Sequence, residues 1–202
     1  MSRSRFPRAP YFALFVVVLT ACLAGCSSGS MTSAQFTASA TPAAPGLVKL
    51  EERSRSGARV VVDVVMFGPE ATLDLNAFQF GIKNGNPDLV KFTPQPTYGQ
   101  TALIADAGQA LAIDVDGASD PSLVRIDTAK QGGGAGNGIA GASAVVIELT
   151  FDVRGSGATT LTLVGLGNEQ PKAFDSTRAP IAAVRFDAAS ATVRGVATGG
   201  GY

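Results

Sequence analysis

Three carboxylates stand close together in Asp114-Val115-Asp116-Gly117-Ala118-Ser119-Asp120, around a glycine turn. Acids at such spacing can offer several oxygens to one hard cation, and calcium is the ion that loops of this kind hold. The stretch lacks the closing bidentate glutamate and the full spacing of an EF-hand. A metal-free turn in which each aspartate caps its own backbone accounts for the same residues. Calcium on Asp114, Asp116 and Asp120 therefore stands as one candidate beside a plain turn. Other acids offer less: Glu51 and Glu52 are adjacent, so on a strand they point to opposite faces. A two-carboxylate glycosidase depends on a separation in space rather than in sequence. Nucleophilic chemistry has little to work with. The chain has no histidine, which removes Ser-His-Asp and Cys-His arrangements and His-ligated zinc. It contains neither a Gly-x-Ser-x-Gly elbow nor a phosphate-cradling P-loop. The expectation is a chain without enzymatic activity.

The two cysteines, Cys22 and Cys26, have a different chemistry open to them. Ahead of them Arg3, Arg5 and Arg8 form a positive segment without acids, and Tyr11 to Leu23 is almost wholly apolar. That is the layout of a secretory signal peptide, and the run is short of the roughly 20 residues that span a bilayer core. Leu23-Ala24-Gly25-Cys26 resembles the lipobox of bacterial lipoproteins. The resemblance implies cleavage before Cys26 and acylation of its thiol; Leu19-Thr20-Ala21-Cys22 fits more loosely. Each buried methylene is worth about 0.8 kcal/mol, so several acyl chains anchor firmly where one does not. Residues 1–25 are then a signal peptide, and the protein is a lipid-anchored component of the cell envelope. Ser27 in place of aspartate after the cysteine favours the outer membrane where an organism has two. Cleavage also leaves no thiol except the lipidated one, which rules out a disulfide framework and a cysteine-ligated metal.

The elements that would carry any site are read from composition and alternation. Loss of Arg3, Arg5 and Arg8 leaves 13 of 16 basic residues against 16 acidic ones, a net charge of −3. Such a balance gives no footprint for nucleic acid. Residues 26–46, the lipidated cysteine and a small, polar, proline-containing stretch, are expected to be a flexible tether. Short alternating runs follow from Leu47. Arg59–Phe67 is rich in β-branched residues; Phe78, Phe80 and Ile82 share one face; Leu111, Ile113 and Val115 alternate with polar neighbours. Val145, Ile147, Leu149, Phe151 and Val153 are expected on one buried face. Gly132 to Gly141 reads as a loop, and residues 196–202 as a loose tail. Some eight or nine strands without a long helix predict an all-β domain over 47–195, a two-sheet antiparallel sandwich of jelly-roll type.

Within that domain RVVVDVVMF and LDLNAFQFGIKNGNPDLVKF resemble the opening strands of cohesin domains, whose fold is shared with carbohydrate-binding modules. VVIELTFDVRGSGATTLTL resembles the family's later strand, Gly-Ser-Gly turn and following strand, and PIAAVRFDAASATVRG its closing strand. One departure is Lys83-Asn84-Gly85-Asn86-Pro87, where many cohesins have Tyr-Asp-Pro. The resemblance implies a non-catalytic module that binds a protein partner, a dockerin in polysaccharide-degrading assemblies. An envelope component, including a secretion assembly, is another partner of the same kind. Direct binding of polysaccharide is the alternative. Against it, the chain lacks tryptophan, and Tyr98 and Tyr202 are its only tyrosines beyond the signal, so few flat rings remain for stacking on sugars.

Overall fold

The computed structural model describes residues 31–103, 110–132 and 134–198. Twelve strands and no helix occur among these residues. They are β1 (Met31–Thr37), β2 (Leu47–Ser56), β3 (Arg59–Phe67), β4 (Ala77–Asn84), β5 (Val90–Thr93) and β6 (Ala110–Asp116). After these come β7 (Leu123–Gln131), β8 (Ser143–Val153), β9 (Gly157–Val164), β10 (Lys172–Phe174), β11 (Arg185–Phe186) and β12 (Ala191–Thr198). A large sheet runs β1-β12-β9-β4-β7-β6, with β10 also on β4; a small sheet runs β11-β2-β3-β8-β5. All pairings are antiparallel except the two-residue contact of β11 with β2. The predicted sandwich is the fold found, with more strands than the alternation suggested, several of them longer.

The core between the sheets follows from period-2 alternation. Phe78, Phe80 and Ile82 on β4 meet Val60, Val62, Val64 and Met66 on β3, all essentially inaccessible to solvent. Full burial of each such side chain contributes roughly 1.5–3 kcal/mol. β2 and β3 are joined by the two-residue loop Gly57-Ala58, where Gly57 has φ 55°, the left-handed first position that a tight hairpin turn favours. On β8 the expected phase fails at one end. Val64 pairs with Ile147 but Val65 pairs with Val145, so Val146 is a bulged extra residue. The bulge turns Val146 into the core and leaves Val145 half-exposed.

Two terminal expectations are corrected. Met31–Thr37, expected within the tether, pairs residue for residue with β12, and β12 itself continues through Val196 and Ala197 to Thr198, into the expected tail. Small and polar side chains do not prevent this, because the ladder is made by backbone groups; Ala34 is buried and Phe36 packs on the core. The stretch between β1 and β2 is also held. The Ser39 hydroxyl donates to Asp187, the Thr41 hydroxyl donates to Asp187 at 2.9 Å, and Lys49 Nζ donates to the carbonyls of Ser39 and Thr41 at 3.3 and 3.0 Å. Cys26 and Tyr202 lie outside the described residues.

The glycine-rich run after β7 is likewise no free loop. Glu70 and Ile139 exchange backbone hydrogen bonds at 2.7 and 2.9 Å, and Asn137 N donates to Leu75 O at 3.1 Å. A Cβ on Gly136 or Gly138 would come within 2.4 Å of the backbone of residues 70–75. Glycine is required there because two backbones lie against each other.

Candidate docking face

Outward-facing side chains of the large sheet fall into rows set by register. Ala112, Ala129, Ala77 and Phe174 form one row across β6, β7, β4 and β10. The next row is Asp114, Asp127, Gln79 and Lys172; a third carries Asp116, Arg125 and Gly81. Three alanines side by side leave a low floor, and the Phe174 ring and the polypeptide after β10 raise one wall. The result is a trough of about 420 Å³ lined by Ala77, Gln79, Ala112, Asp114, Asp127, Ala129, Phe174, Asp175 and Arg178, among others.

The wall after β10 is shaped by two aspartates. Asp175 Oδ1 accepts hydrogen bonds from Thr177 N (2.8 Å), Thr177 Oγ1 (2.7 Å) and Ala179 N (2.9 Å). Asp74 accepts from the backbone N of Gly136, the Ser176 hydroxyl and Ser176 N, tying this wall to the glycine-rich run. Hydrogen bonds from the Thr177 side chain and the Ala179 backbone hold the Asp175 carboxyl below the usual carboxylate range; those from the Ser176 side chain and the Gly136 backbone do the same for Asp74. Arg178 closes the turn with φ 69°, the one non-glycine left-handed residue among those described. A backbone held there is worth attention near a binding surface.

The three acids singled out from sequence are not gathered into one site. Asp114 is exposed in the trough, opposite Asp127. Asp116 Oδ1 accepts from Ala118 N at 2.9 Å and Ser119 N at 3.1 Å; Asp120 Oδ1 accepts from Ser122 N at 2.8 Å and Ser122 Oγ at 2.7 Å. Hydrogen bonds from Ser119, side chain first, hold Asp116 below its ordinary range, and those from Ser122 do so for Asp120. The stretch is a pair of aspartate-capped turns, and among the described residues no group of three acids or cysteines is placed to hold a metal ion.

Charges on the outer face of the small sheet are already answered within it. Glu51, Asp63 and Glu148 lie abreast on β2, β3 and β8. Lys49 Nζ meets Glu51 at 3.1 Å, while Arg53 bridges Asp63 at 3.3 Å and Glu148 at 3.0 Å. Farther along, Arg59 meets Asp152 at 2.9 Å. Aromatic side chains give no stacking platform on that face: Tyr98 is half-buried against the core. Phe174, which the sequence pattern did not mark, is the ring beside the trough. Its strand is three residues long, too short for alternation to show.

The two-sheet sandwich is similar in fold to solved cohesin domains. Among solved structures, the chain is similar to the type II cohesin dyad from the adaptor scaffoldin of Acetivibrio cellulolyticus, with TM-score 0.52 and 10% identity over 73% of this chain and 48% of that one. The chain thus spans about half the length of that dyad. A type II cohesin domain from the cellulosome of the same organism follows, with TM-score 0.48 and 10% identity over 74% and 95%. A cohesin module from a family 33 glycoside hydrolase of Clostridium perfringens has TM-score 0.44 and 10% identity over 84% and 97%. No family model and no curated protein matches the chain. At such identity the likeness is one of fold, in agreement with the cohesin resemblance of the sequence.

Proposed function

We propose that the protein is a non-catalytic binding module of the cell envelope, tethered by lipid on Cys26, that docks a protein partner on the outer face of its large sheet. The observation that carries this reading is the contrast between the two outer faces. One is a surface of charges matched to each other; the other holds a trough with an alanine floor and unmatched acids. A concave face with a few placed polar groups is the kind of surface that receives a ligand. The scaffoldin origin of the solved neighbour and the dockerin partner implied by the sequence resemblance favour protein over glycan. A role in assembling polysaccharide-degrading or secretion machinery follows from the same reading.

The test uses the mature protein as bait in envelope extract, with Ala129→Arg as its partner bait. Arginine at this position fills the trough without touching the core. A protein retained by the wild type and lost with Ala129→Arg, both melting at the same temperature, supports the docking face. Equal retention by both removes the proposed surface. Retardation in polysaccharide gels with no protein retained replaces the reading with the carbohydrate alternative.

A further inference from the structure

The trough is charged as well as concave, and its charge states what fits it. Asp114 and Asp127 are direct cross-strand partners, an arrangement that is unfavourable for like charges and that a sheet ordinarily avoids. Asp127 accepts a hydrogen bond from Gln79 Nε2 at 2.8 Å. Among the described residues no cation forms an ion pair with either acid. Of the nearby cations, Lys172 and Arg125 are placed elsewhere, while Lys130 and Arg178 line the trough without an ion pair among the described residues. Lys172 is bound to Glu169 at 2.7 Å. Arg125 lies one row away, opposite Asp116. Lys130 is buried and lines the trough, its Nζ without a hydrogen-bond partner among the described residues. Arg178 and Asp175 sit together on the rim. Asp114, Asp127 and Asp175 against Lys130 and Arg178 leave the lining with a net charge of −1, and the two cross-strand carboxylates without an ion pair beside an apolar floor.

On the docking reading above, we infer that the trough receives a basic side chain, arginine or lysine, projecting from the protein partner. The aliphatic stem of such a residue covers the alanines while its head meets Asp114 and Asp127. A divalent metal is less well served, since the two acids have no third carboxylate converging on them. An acidic partner segment is repelled. Small residues beside the basic one suit the low walls, so the partner presents it from an extended segment or a turn rather than from a crowded helix.

The experiment has two arms. In the first, amide shifts of the isotopically labelled mature protein are followed with short alanine-rich peptides whose central residue is arginine, lysine, norleucine or glutamate. The arginine and lysine peptides are expected to move Ala112, Asp114, Asp127 and Ala129, and to do so less as salt rises. Norleucine or glutamate moving the same amides as strongly overturns the inference, as does an unmoved trough with the basic peptides. Calcium or spermidine alone saturating the same shifts also overturns it, by assigning the site to a free cation. In the second arm, Asp114→Asn with Asp127→Asn is compared with Ala129→Arg in capture of the protein retained by the wild type. Capture at least tenfold weaker with both variants supports the inference. Loss with Ala129→Arg but full retention with the double asparagine variant leaves the docking face standing and sinks the basic side chain. Both asparagines lie on the sheet's outer face, so unchanged melting separates these outcomes from misfolding.

Discussion

Asp187 and Asp63 are both buried carboxylates beside the small sheet, and their surroundings send them in opposite directions. Burial pushes Asp187 up, but the Ser39 hydroxyl, the Ala189 backbone, the Thr41 hydroxyl and Lys49 together outweigh it and hold the carboxyl below its ordinary range. Burial dominates at Asp63 and raises it, with Arg53 offsetting only part. Asp63 Oδ1 has no hydrogen-bond partner. Linkage fixes the signs. Asp187 lends stability at neutral pH that is lost as pH falls through its lowered folded value. Asp63 favours the folded state when protonated, an advantage present in acid and lost as pH rises through its raised value. Replacing Asp187 by alanine leaves the Ser39 and Thr41 hydroxyls without an acceptor and is expected to cost about 2–3 kcal/mol in urea denaturation at pH 7. Asp63→Asn is expected to stabilise by about 0.5–1 kcal/mol at pH 7, with the gap closing as the same titration is repeated toward pH 4. A gap independent of pH would count against burial of the charge as the cause. Arg178→Gly removes a left-handed side chain and is expected to stabilise by about 1 kcal/mol.

At the scale of elements, the glycine-rich run and the capped aspartate turns behave as built structure rather than slack chain. Gly138→Ala forces a methyl against the Ala71 backbone and is expected to destabilise by about 1–3 kcal/mol; denaturation with an unchanged m-value checks it. For the Asp114 to Asp120 stretch, melting temperature should be indifferent to EDTA and to added calcium. Asp116→Ala should lower the melting temperature slightly through the lost caps to Ala118 N and Ser119 N, read by thermal denaturation. β3, β4 and most of β8 were legible in sequence because each carries a long alternation of β-branched or aromatic residues. β1 was not: MTSAQFT holds little that is apolar, and its pairing comes from a backbone ladder that side chains do not announce. The Val145 to Val146 phase was hidden for another reason, since a bulge inside Val-Val-Ile changes no residue type. The trough is harder still. Ala77, Ala112, Ala129 and Phe174 come from four strands, and only register brings them into a row.

At the scale of the molecule, the anchor and the domain must be considered together. On the proposed anchoring, lipid on Cys26 would have only residues 27–30 between it and β1, instead of a coil running to residue 46. Five Cα steps reach at most about 18 Å when fully extended, against roughly 25 Å for the typical span of a 20-residue coil. Cys26→Ser is expected to release the protein in soluble form or leave it unprocessed, read by membrane fractionation and mass; membrane retention at the mature mass would contradict the anchor. On the proposed docking reading, the alanine floor and its acids would set partner choice, and the ion-paired face would take no part in it.

The pairing of β1 with β12 joins Met31 to Thr198, near the beginning and end of the chain. Closing a loop of that length carries the largest entropy cost of any contact in the domain, and such pairings form late. It also orders events in time. A chain delivered from its N-terminus makes β1 first but supplies its partner last, when Ala191–Thr198 arrives. Until then β1 has no strand to pair with in the large sheet, only its contacts with the small sheet such as Ala34 N to Gly57 O, and the free edge of β9 stays bare, so the large sheet is completed only when the whole domain has emerged.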